Sequence, residues 1–591
     1  MNNALKSKVI MFSSMIGFML LYMIIFGNKN AVLGVMMVMA AFMSLGNDLS
    51  FKPKTSFVKV LALLMILGIS AYLNNPLSIF GCVLTFLVVF GTTFTSYHLF
   101  GTSVYLPFLM CYFMMVGIPV SLENLPIRLL SLVFGAIFIV GLNILVNKKK
   151  EYKLSKATID KLVNEVNNAI DLKLDGNGVP EDSFKTINGF YLTIFNKFEY
   201  KYFPTQTQQS VLNIIKSFQY IGNIICKSNL SKNELNYIKN VLSHIEDINS
   251  EEIFKNADVE TKEMYLILLN LEIIANEIKN KDLTKGTVLS DRKAVLQLIR
   301  PIIRKQFSFQ SVKFTFAFKM AIILFVWQLL TLIFNLPFTK WLYFATIPLM
   351  LPYIDDVAYT ARTRVEGTFI GVFIFAIVII VMPYLSISYF ASMMIVMIVC
   401  MIIMVLKMED KLILATVTTV MSVMAALMYI QPPEAIFLKI LWVVIGAGVV
   451  TLFNFKFLPY SVETETKNNL KAGYNLNQKS IELVKQRCLG RKSNEKTTLL
   501  VVSNIVRENI EITAGNKEIY DLQIKITDMC NFILNYMDIY GVSDNLKINL
   551  VDIFENDDDV KQDLDSKDKI ISYSAKHVTN LFKQEEMLFK L

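Results

Sequence analysis

The stretch that decides the fold covers residues 347–375 and reads IPLMLPYIDDVAYTARTRVEGTFIGVFIF. An apolar run ends in a short polar hinge, and a second apolar run opens with the pattern R-x-x-G-T-x-x-G, which is formed by Arg364, Gly367, Thr368 and Gly371. In a helix these four positions lie at i, i+3, i+4 and i+7, so they share one face. Gly367 and Gly371 have the small-xxx-small spacing that allows a second helix to approach closely within a membrane.

Arg364 stands at the polar end of that glycine face. A cation costs roughly 2.5–3.5 kcal/mol at the centre of a bilayer and less near its surface. We therefore expect the guanidinium of Arg364 to face protein, water or an anion rather than lipid. Glu366 follows two residues later, directly before apolar sequence, and is a candidate for proton uptake.

The composition is typical of a membrane protein. The chain has 591 residues, of which 54% are hydrophobic, and its mean hydropathy of +0.48 is rarely reached by soluble globular chains. The apolar residues are concentrated in two blocks, and each block is long enough for six spans of about 20 residues. The sequence therefore predicts an all-α polytopic membrane protein with two six-helix transmembrane repeats, about 12 spans in total, each followed by a cytoplasmic helical domain.

Four segments follow from this pattern. The predicted boundaries are 1–147 for the first transmembrane bundle, 148–310 for a cytoplasmic helical domain, 311–456 for the second transmembrane bundle and 457–591 for a C-terminal cytoplasmic helical domain. The two polar segments are predicted to be helical because their apolar residues recur at intervals of three and four.

The distribution of positive charge predicts the orientation. Lys6 and Lys8 precede the first apolar run, further lysines gather between spans two and three, and Lys148-Lys149-Lys150 follow span six. Because cytoplasmic loops carry the excess of lysine and arginine, the N-terminus is predicted to be cytoplasmic, and an even number of spans returns the C-terminus to that side. The protein is thus predicted to be a multi-pass protein of the cell membrane, embedded in the lipid bilayer.

The two apolar blocks resemble each other when the sequence is shifted by 311 residues. The matching pairs are Glu123 with Glu434, Arg128 with Lys439, Gly135-Ala136 with Gly446-Ala447, Lys8 with Lys319, and Lys29 with Lys340. Each block has an even number of predicted spans, so the two repeats should have the same orientation and be related by an axis along the membrane normal.

Charged residues at the ends of spans are the candidates for function, because such residues are costly in a bilayer. Arg128 with Gly135, and Lys439 with Gly446, share equivalent faces near the starts of spans six and twelve, where Glu123 and Glu434 also lie. One hypothesis is a basic ring around a pathway that attracts anions. The alternative is that these cations are anchors at the membrane surface. Lys8 and Lys319 are either markers of the cytoplasmic side or cations of the same pathway.

Motifs for catalysis and cofactors are absent from the sequence. It lacks a G-x-x-x-x-G-K-[ST] phosphate loop, and its six cysteines and three histidines show neither zinc spacing nor a nucleophile–base pair. The net charge of +9 fits topological charge beside the spans better than a nucleic-acid surface. We therefore predict no enzyme activity, no catalytic residues, no metal, no cofactor and no nucleic-acid partner.

Lys340-Trp341 opening a span, Pro348 and Pro352 near its end, and the R-x-x-G-T-x-x-G pattern together resemble the fusaric acid resistance protein-like family. That family includes aromatic acid exporters and is related to plant aluminium-activated malate transporters. The resemblance implies export or conduction of organic anions, with aromatic carboxylates among them. The first block departs from the pattern, since Lys52-Pro53-Lys54-Thr55-Ser56 occupies the equivalent position.

Two readings of the function follow. The first is a transporter or channel for small organic anions, for which a homo-oligomer or an envelope partner protein is also compatible with the resemblance. The second is a non-transporting membrane scaffold or sensor whose cytoplasmic helical domains bind a partner.

Overall fold

Regular secondary structure in the described part of the chain is helical throughout, which confirms the predicted all-α class. The computed structural model describes residues 17, 18, 20–46, 49, 53–74, 78–100, 104–147, 156–180, 184, 187, 206–248, 252–255, 257, 261–279, 300, 304, 306–336, 340–381, 389–407, 410–426, 432–489, 517–556, 559–561, 564 and 566–590. Of the residues predicted to line a pathway, Lys8 lies outside these ranges.

The helices are numbered in chain order, and those of the apolar blocks are given first. They are α1 (Asn28–Met43), α2 (Pro53–Leu73), α3 (Ile79–Phe100), α4 (Tyr105–Gly117) and α5 (Leu125–Asn147) in the first block, preceded by a helical segment within residues 17–26. In the second block they are α11 (Val312–Phe334), α12 (Lys340–Leu349), α13 (Val357–Val381), α14 (Tyr389–Leu406), α15 (Lys411–Ala426) and α16 (Pro432–Lys456).

The polar segments supply the remaining helices. These are α6 (Lys156–Leu174), α7 (Gln206–Lys227), α8 (Lys232–Ser243), α9 (Glu252–Lys255) and α10 (Lys262–Lys279), then α17 (Val462–Cys488), α18 (Lys517–Tyr540), α19 (Asp544–Asn556) and α20 (Ser566–Lys590).

The chain forms two compact units, and each unit combines two stretches that are distant in sequence. One unit contains Met1–Lys150 and Lys305–Val462, and the other contains Glu151–Arg304 and Glu463–Leu591. The two apolar blocks therefore pack together, and the two polar segments pack together.

Six helical stretches in the described ranges are long and apolar enough to cross a bilayer. They are Pro53–Leu73, Ile79–Tyr97, Leu122–Val146, Val312–Phe334, Val357–Val381 and Pro433–Lys456. Shorter apolar helices cover Val32–Met43, Tyr105–Gly117 and Lys411–Met424. The chain is thus a multi-pass membrane protein, while twelve spans in two repeats stay a prediction.

Within the apolar unit, α5 packs against α1 and α2, and α16 packs in the same way against α12 and α13. The helix α13 also packs along α15. The loop before α13 is bonded to the segment that follows α16: the backbone N–H of Ile354 donates to the carbonyl of Tyr460 (3.0 Å), and the N–H of Val462 donates to a carboxylate oxygen of Asp355 (3.0 Å). These bonds fix where α13 begins and thereby position Arg364.

The first and second blocks meet along α3 and α11, which pack as antiparallel neighbours. Phenylalanine rings alternate along the contact: Phe86 lies against Phe325 at 6.3 Å between centroids, and Phe94 lies against Phe307 at 4.9 Å. Aromatic pairs of this kind contribute about 0.5–1.5 kcal/mol each beyond the burial of their area.

Buried hydrogen bonds add specificity to the same contact between the blocks. The Asn74 side chain donates to Thr85 (2.8 Å) and to the hydroxyl of Tyr112 (2.7 Å). Gln328 of α11 donates to Asn74 (3.1 Å) and accepts from Thr85. Because buried polar groups must be paired, this closed set favours one register of α11 against the first block.

The polar unit is a set of amphipathic helices around two hydrophobic cores. One core lies among α6, α7, α8 and α10, and the other lies mainly among α17–α20, with Leu269 and Ile273 of α10 contributing to it. Local sequence explains individual helix starts. At the start of α8, for example, Ser231 and Glu234 form a capping box, in which each side chain accepts from the other residue's backbone N–H.

Candidate functional site

The glycine face of α13 lies directly against α15. A Cβ atom built on Gly367 would lie 2.6 Å from the Cβ of Ala415, and one on Gly371 would lie 2.6 Å from the backbone oxygen of Thr416. These separations are shorter than carbon atoms tolerate, so only glycine permits the two backbones to approach this closely. The close approach places the hydroxyls of α15 beside Arg364.

Arg364 is held inside this helix pair by a neutral partner. Its Nη1 donates to the hydroxyl of Thr418 at 3.0 Å, and its backbone oxygen accepts from the hydroxyl of Thr368 at 2.8 Å. Its Nε is buried without a hydrogen-bond partner among the described residues. The guanidinium therefore enters the apolar unit with unused hydrogen-bonding capacity.

Lys439 lies on α16, which packs against α13, and is only 2% exposed. Its Nζ stands over the ring of Trp341 at 5.7 Å from the centroid, which is a cation–π geometry. Within the described ranges it forms neither a hydrogen bond nor an ion pair. Its charge also interacts unfavourably with that of the half-buried Arg364.

This arrangement is suited to holding an anion. Two like charges in a low-dielectric interior destabilise each other, and the described residues bring no carboxylate to either of them. An anionic group between them would relieve the repulsion, and charge-assisted hydrogen bonds to guanidinium and ammonium are about twice as strong as neutral ones. The ring of Trp341 would supply an apolar surface next to that charge.

Arg128, which the repeat pairs with Lys439, has quite different surroundings. It is 3% exposed, and its Nε donates to the side-chain oxygen of Asn30 at 3.0 Å. Its Nη1 donates to the carbonyl of Ile118 at 2.6 Å and to that of Met115 at 3.4 Å. Arg128 thus satisfies carbonyls at the end of α4 and ties α1, α4 and α5 together. Arg128 and Lys439 are thus both buried, with different partners.

The other predicted residues lie apart from this pair. Glu366 accepts from Arg362 at 2.7 Å, and its side chain is 44% exposed. Glu123, in a short 3₁₀ helix before α5, and Glu434, in the first turn of α16, are exposed. The ammonium of Lys319 on α11 is buried without a hydrogen-bond partner in the described chain.

Sequence reasoning missed the two side chains that position the cations, Thr418 and Trp341. The run of three hydroxyls at Thr416, Thr418 and Thr419 within an apolar helix was a usable signal for the first. The second lies about one hundred residues before Lys439, and such a pairing needs the helix packing to be known. Among the described residues no group of three or more His, Cys, Asp or Glu side chains could hold a metal ion.

These features define the class: a helical, multi-pass membrane protein in which a buried lysine and a half-buried arginine lie on neighbouring apolar helices. Residues 321–453 match the family model described as fusaric acid resistance protein-like, so the second apolar block, with Arg364, Lys439 and Trp341, is similar to that family. The resemblance to this family is thereby confirmed. Members of that family are membrane transporters. No curated protein and no solved structure matches the chain.

Proposed function

We propose that this protein moves small organic anions across the cytoplasmic membrane, with both termini in the cytoplasm. The observation that supports this is the combination of the buried Lys439 and the half-buried Arg364, with no acidic partner among the described residues. An uncompensated buried charge costs several kcal/mol. A bundle that served only as an anchor would have no use for one.

Trp341 supports a narrower choice of substrate. Its ring is already in contact with the ammonium of Lys439, so an aromatic carboxylate could place its charge on the cations and its ring on the indole. Aromatic carboxylates are therefore the substrates that we propose to test first, in agreement with the family resemblance. Dicarboxylates are the second set that we propose to test, following the relation to aluminium-activated malate transporters that the resemblance implies.

The proposed orientation rests on charge at one end of the second block. Lys407 follows the end of α14, Lys411 begins α15, and Lys456 ends α16. Glu434 lies at the opposite end of α16. The positive-inside rule assigns the lysine-rich end to the cytoplasm.

The flux of anions through purified protein in liposomes tests the proposal. We expect Arg364→Gln and Lys439→Gln each to reduce the efflux of an aromatic carboxylate such as benzoate at least tenfold, because each removes a charge that binds the anion. Lys456→Gln is the matched control, since it makes the same change at an exposed position of the same helix, and its flux should equal that of the wild type.

Equal flux from empty liposomes and from liposomes containing the folded wild-type protein, for aromatic carboxylates and dicarboxylates alike, would contradict the proposal. It would favour the scaffold reading instead. Unchanged flux in both Arg364→Gln and Lys439→Gln would leave a transporter whose pathway lies elsewhere.

A further inference from the structure

The apolar unit contains two comparable helix contacts, the α1–α5 interface and the α12–α16 interface. Their key positions are 311 residues apart: Arg128 and Lys439, Asn30 and Trp341, Gly135 and Gly446, and Asn143 and Asn454. The comparison of these positions, pair by pair, shows that the first interface is closed by hydrogen bonds and tight packing and that the second is not.

Arg128 and Lys439 differ in their hydrogen bonds. At the α1–α5 interface, the guanidinium of Arg128 donates to Asn30 and to the carbonyls of Met115 and Ile118. At the α12–α16 interface, the ammonium of Lys439 faces the ring of Trp341 and donates no hydrogen bond to any described residue. Arg128 therefore connects helices, whereas none of the three donors of the Lys439 ammonium is used by a residue that the structure describes.

Gly135 and Gly446 differ in how tightly they are packed, and the first interface is again the tighter one. A Cβ on Gly135 would lie 2.6 Å from the sulfur of Met37 and 3.0 Å from the hydroxyl of Tyr22. A Cβ on Gly446 would lie 3.4 Å from its nearest neighbours, Ala345 and Leu342, which is an ordinary van der Waals contact. The first interface is packed to the limit, and the second has room for a methyl group.

The asparagine pair repeats the contrast at the other end of each interface. The Asn143 side chain donates to the carbonyl of Ser44 at 2.9 Å and accepts from the N–H of Leu49 at 3.0 Å. The Asn454 side chain donates to the carbonyl of Val450 at 3.0 Å and touches the sulfur of Met350 at 3.4 Å. Its buried Oδ1 has no hydrogen-bond partner in the described chain. A buried acceptor without a hydrogen-bond partner destabilises the folded chain.

We infer that the anion route of the proposed transporter opens along the α12–α16 interface alone, and that the α1–α5 interface is a sealed brace. Lys439 and Asn454 line the opening interface at its two ends, and Asn454 is a residue of the route that no sequence motif marks. That the route carries anions rests on the proposed function. The difference between a braced and an open interface does not, because it can be tested by stability measurements alone.

Stability measurements on the full-length protein in detergent test the difference between the interfaces. Loss of the cation should lower the unfolding midpoint at one interface and should leave it unchanged or raise it at the other. Arg128→Met should lower the midpoint of thermal unfolding by about 5 °C or more, because it leaves two buried acceptors and one partly buried acceptor without their donor. Lys439→Met should leave the midpoint unchanged or raise it, because it removes a buried charge to which the described residues supply no counter-charge. The asparagines give a second, independent pair: Asn143→Leu should destabilise, and Asn454→Leu should not.

A double variant rebuilds the brace where it is missing. Trp341→Asn combined with Lys439→Arg places the residue types of the first interface at the positions of the second. This variant should unfold at or above the wild-type midpoint and should lose at least nine-tenths of its benzoate flux, although it keeps the positive charge. Retention of wild-type flux by this folded variant would overturn the inference.

Equal loss of stability in Arg128→Met and Lys439→Met would also overturn it, because both interfaces would then be structural. If the opposite signs are found but the wild type carries no anion, the proposed function fails and the asymmetry of the two interfaces stands. If the signs are found and Asn454→Leu, folded as well as the wild type, reduces flux, both the function and the route are supported.

Discussion

Gly371→Ala is expected to destabilise the apolar unit by about 2–3 kcal/mol, although alanine is the better helix former by about 1 kcal/mol. The added methyl group would lie 2.6 Å from the backbone oxygen of Thr416 and 2.9 Å from the Cβ of Thr419. A backbone carbonyl cannot rotate away as a long side chain can, so α13 and α15 would have to separate. Their separation would also pull Thr418 away from Arg364 and reduce any flux that depends on this cation.

The measurement is the fraction of full-length protein that stays monodisperse after heating in detergent, determined by size-exclusion chromatography. Gly448→Ala on α16 is the matched control, since a Cβ there meets no atom within 4 Å. It should be neutral or slightly stabilising. A Gly371→Ala protein as heat-resistant as the control would show that the close approach of α13 and α15 is not needed.

Replacing Glu585 with glutamine is expected to remove a pH dependence from the stability of the polar unit. The carboxylate is buried on α20, where it accepts from Asn477 of α17 (3.0 Å) and from Gln523 of α18 (2.8 Å). Its burial raises the pKa of Glu585 above the usual 4.5, while these two hydrogen bonds act in the opposite direction.

The sign of the effect follows from this shift. A carboxyl whose pKa is higher in the folded chain holds its proton more tightly when folded, so its contribution to stability is complete below about pH 4.5 and is lost as the pH rises through the folded value. As the pH rises from 5 to 8, the free energy of unfolding of the wild type should therefore fall relative to that of Glu585→Gln, by at most about 1.4 kcal/mol per pH unit.

A brief thermolysin pulse after equilibration in urea, read for cleavage within α17, α18 and α20, measures that free energy in the full-length protein. Glu586→Gln is the matched control, because its carboxylate lies on the adjacent residue and accepts only a weak bond from Tyr474 at 3.3 Å. Parallel pH profiles of the wild type and Glu585→Gln would contradict the prediction.

Much of the fold could be predicted because it depends on composition and periodicity. The apolar blocks of about 140 residues require helices in a bilayer, since every backbone polar group must be paired within its own segment. Helix lengths were harder to predict. The helix α12 ends at Leu349, close to Pro348 and Pro352, and is shorter than the apolar run that contains it. Its length depends on prolines and on neighbouring helices rather than on hydropathy.

The assembly of the polar segments into one unit also escaped prediction. Two faces of α10 are apolar, so that Leu268 and Leu271 enter one core while Leu269 and Ile273 enter the other. Apolar residues at intervals of three and four indicate that one face of a helix is buried. They do not indicate which distant helix packs against a second face.

For the site, the spacing of residues along the sequence predicted which side chains share a helix face. It did not predict contacts between residues that are distant in the sequence. The i, i+3, i+4, i+7 pattern placed Arg364, Thr368 and both glycines on one face, which is the face that lies against α15. The repeat suggested that Arg128 and Lys439 are equivalent, yet their surroundings diverge because Asn30 faces one and Trp341 faces the other. That divergence depends on partner residues about one hundred positions away.

The placement of the tryptophans gives the protein an optical reporter of its own. All three, Trp327, Trp341 and Trp442, are buried in the apolar unit, and Trp327 donates to Thr346 of α12 while Trp341 lies beneath the ammonium of Lys439. Indole emission responds to a charge placed over the ring, so neutralisation of that ammonium by an arriving anion should change the colour of the fluorescence. Unlabelled protein could thus be titrated directly, and the polar unit, which holds no tryptophan anywhere in its sequence, would contribute no background.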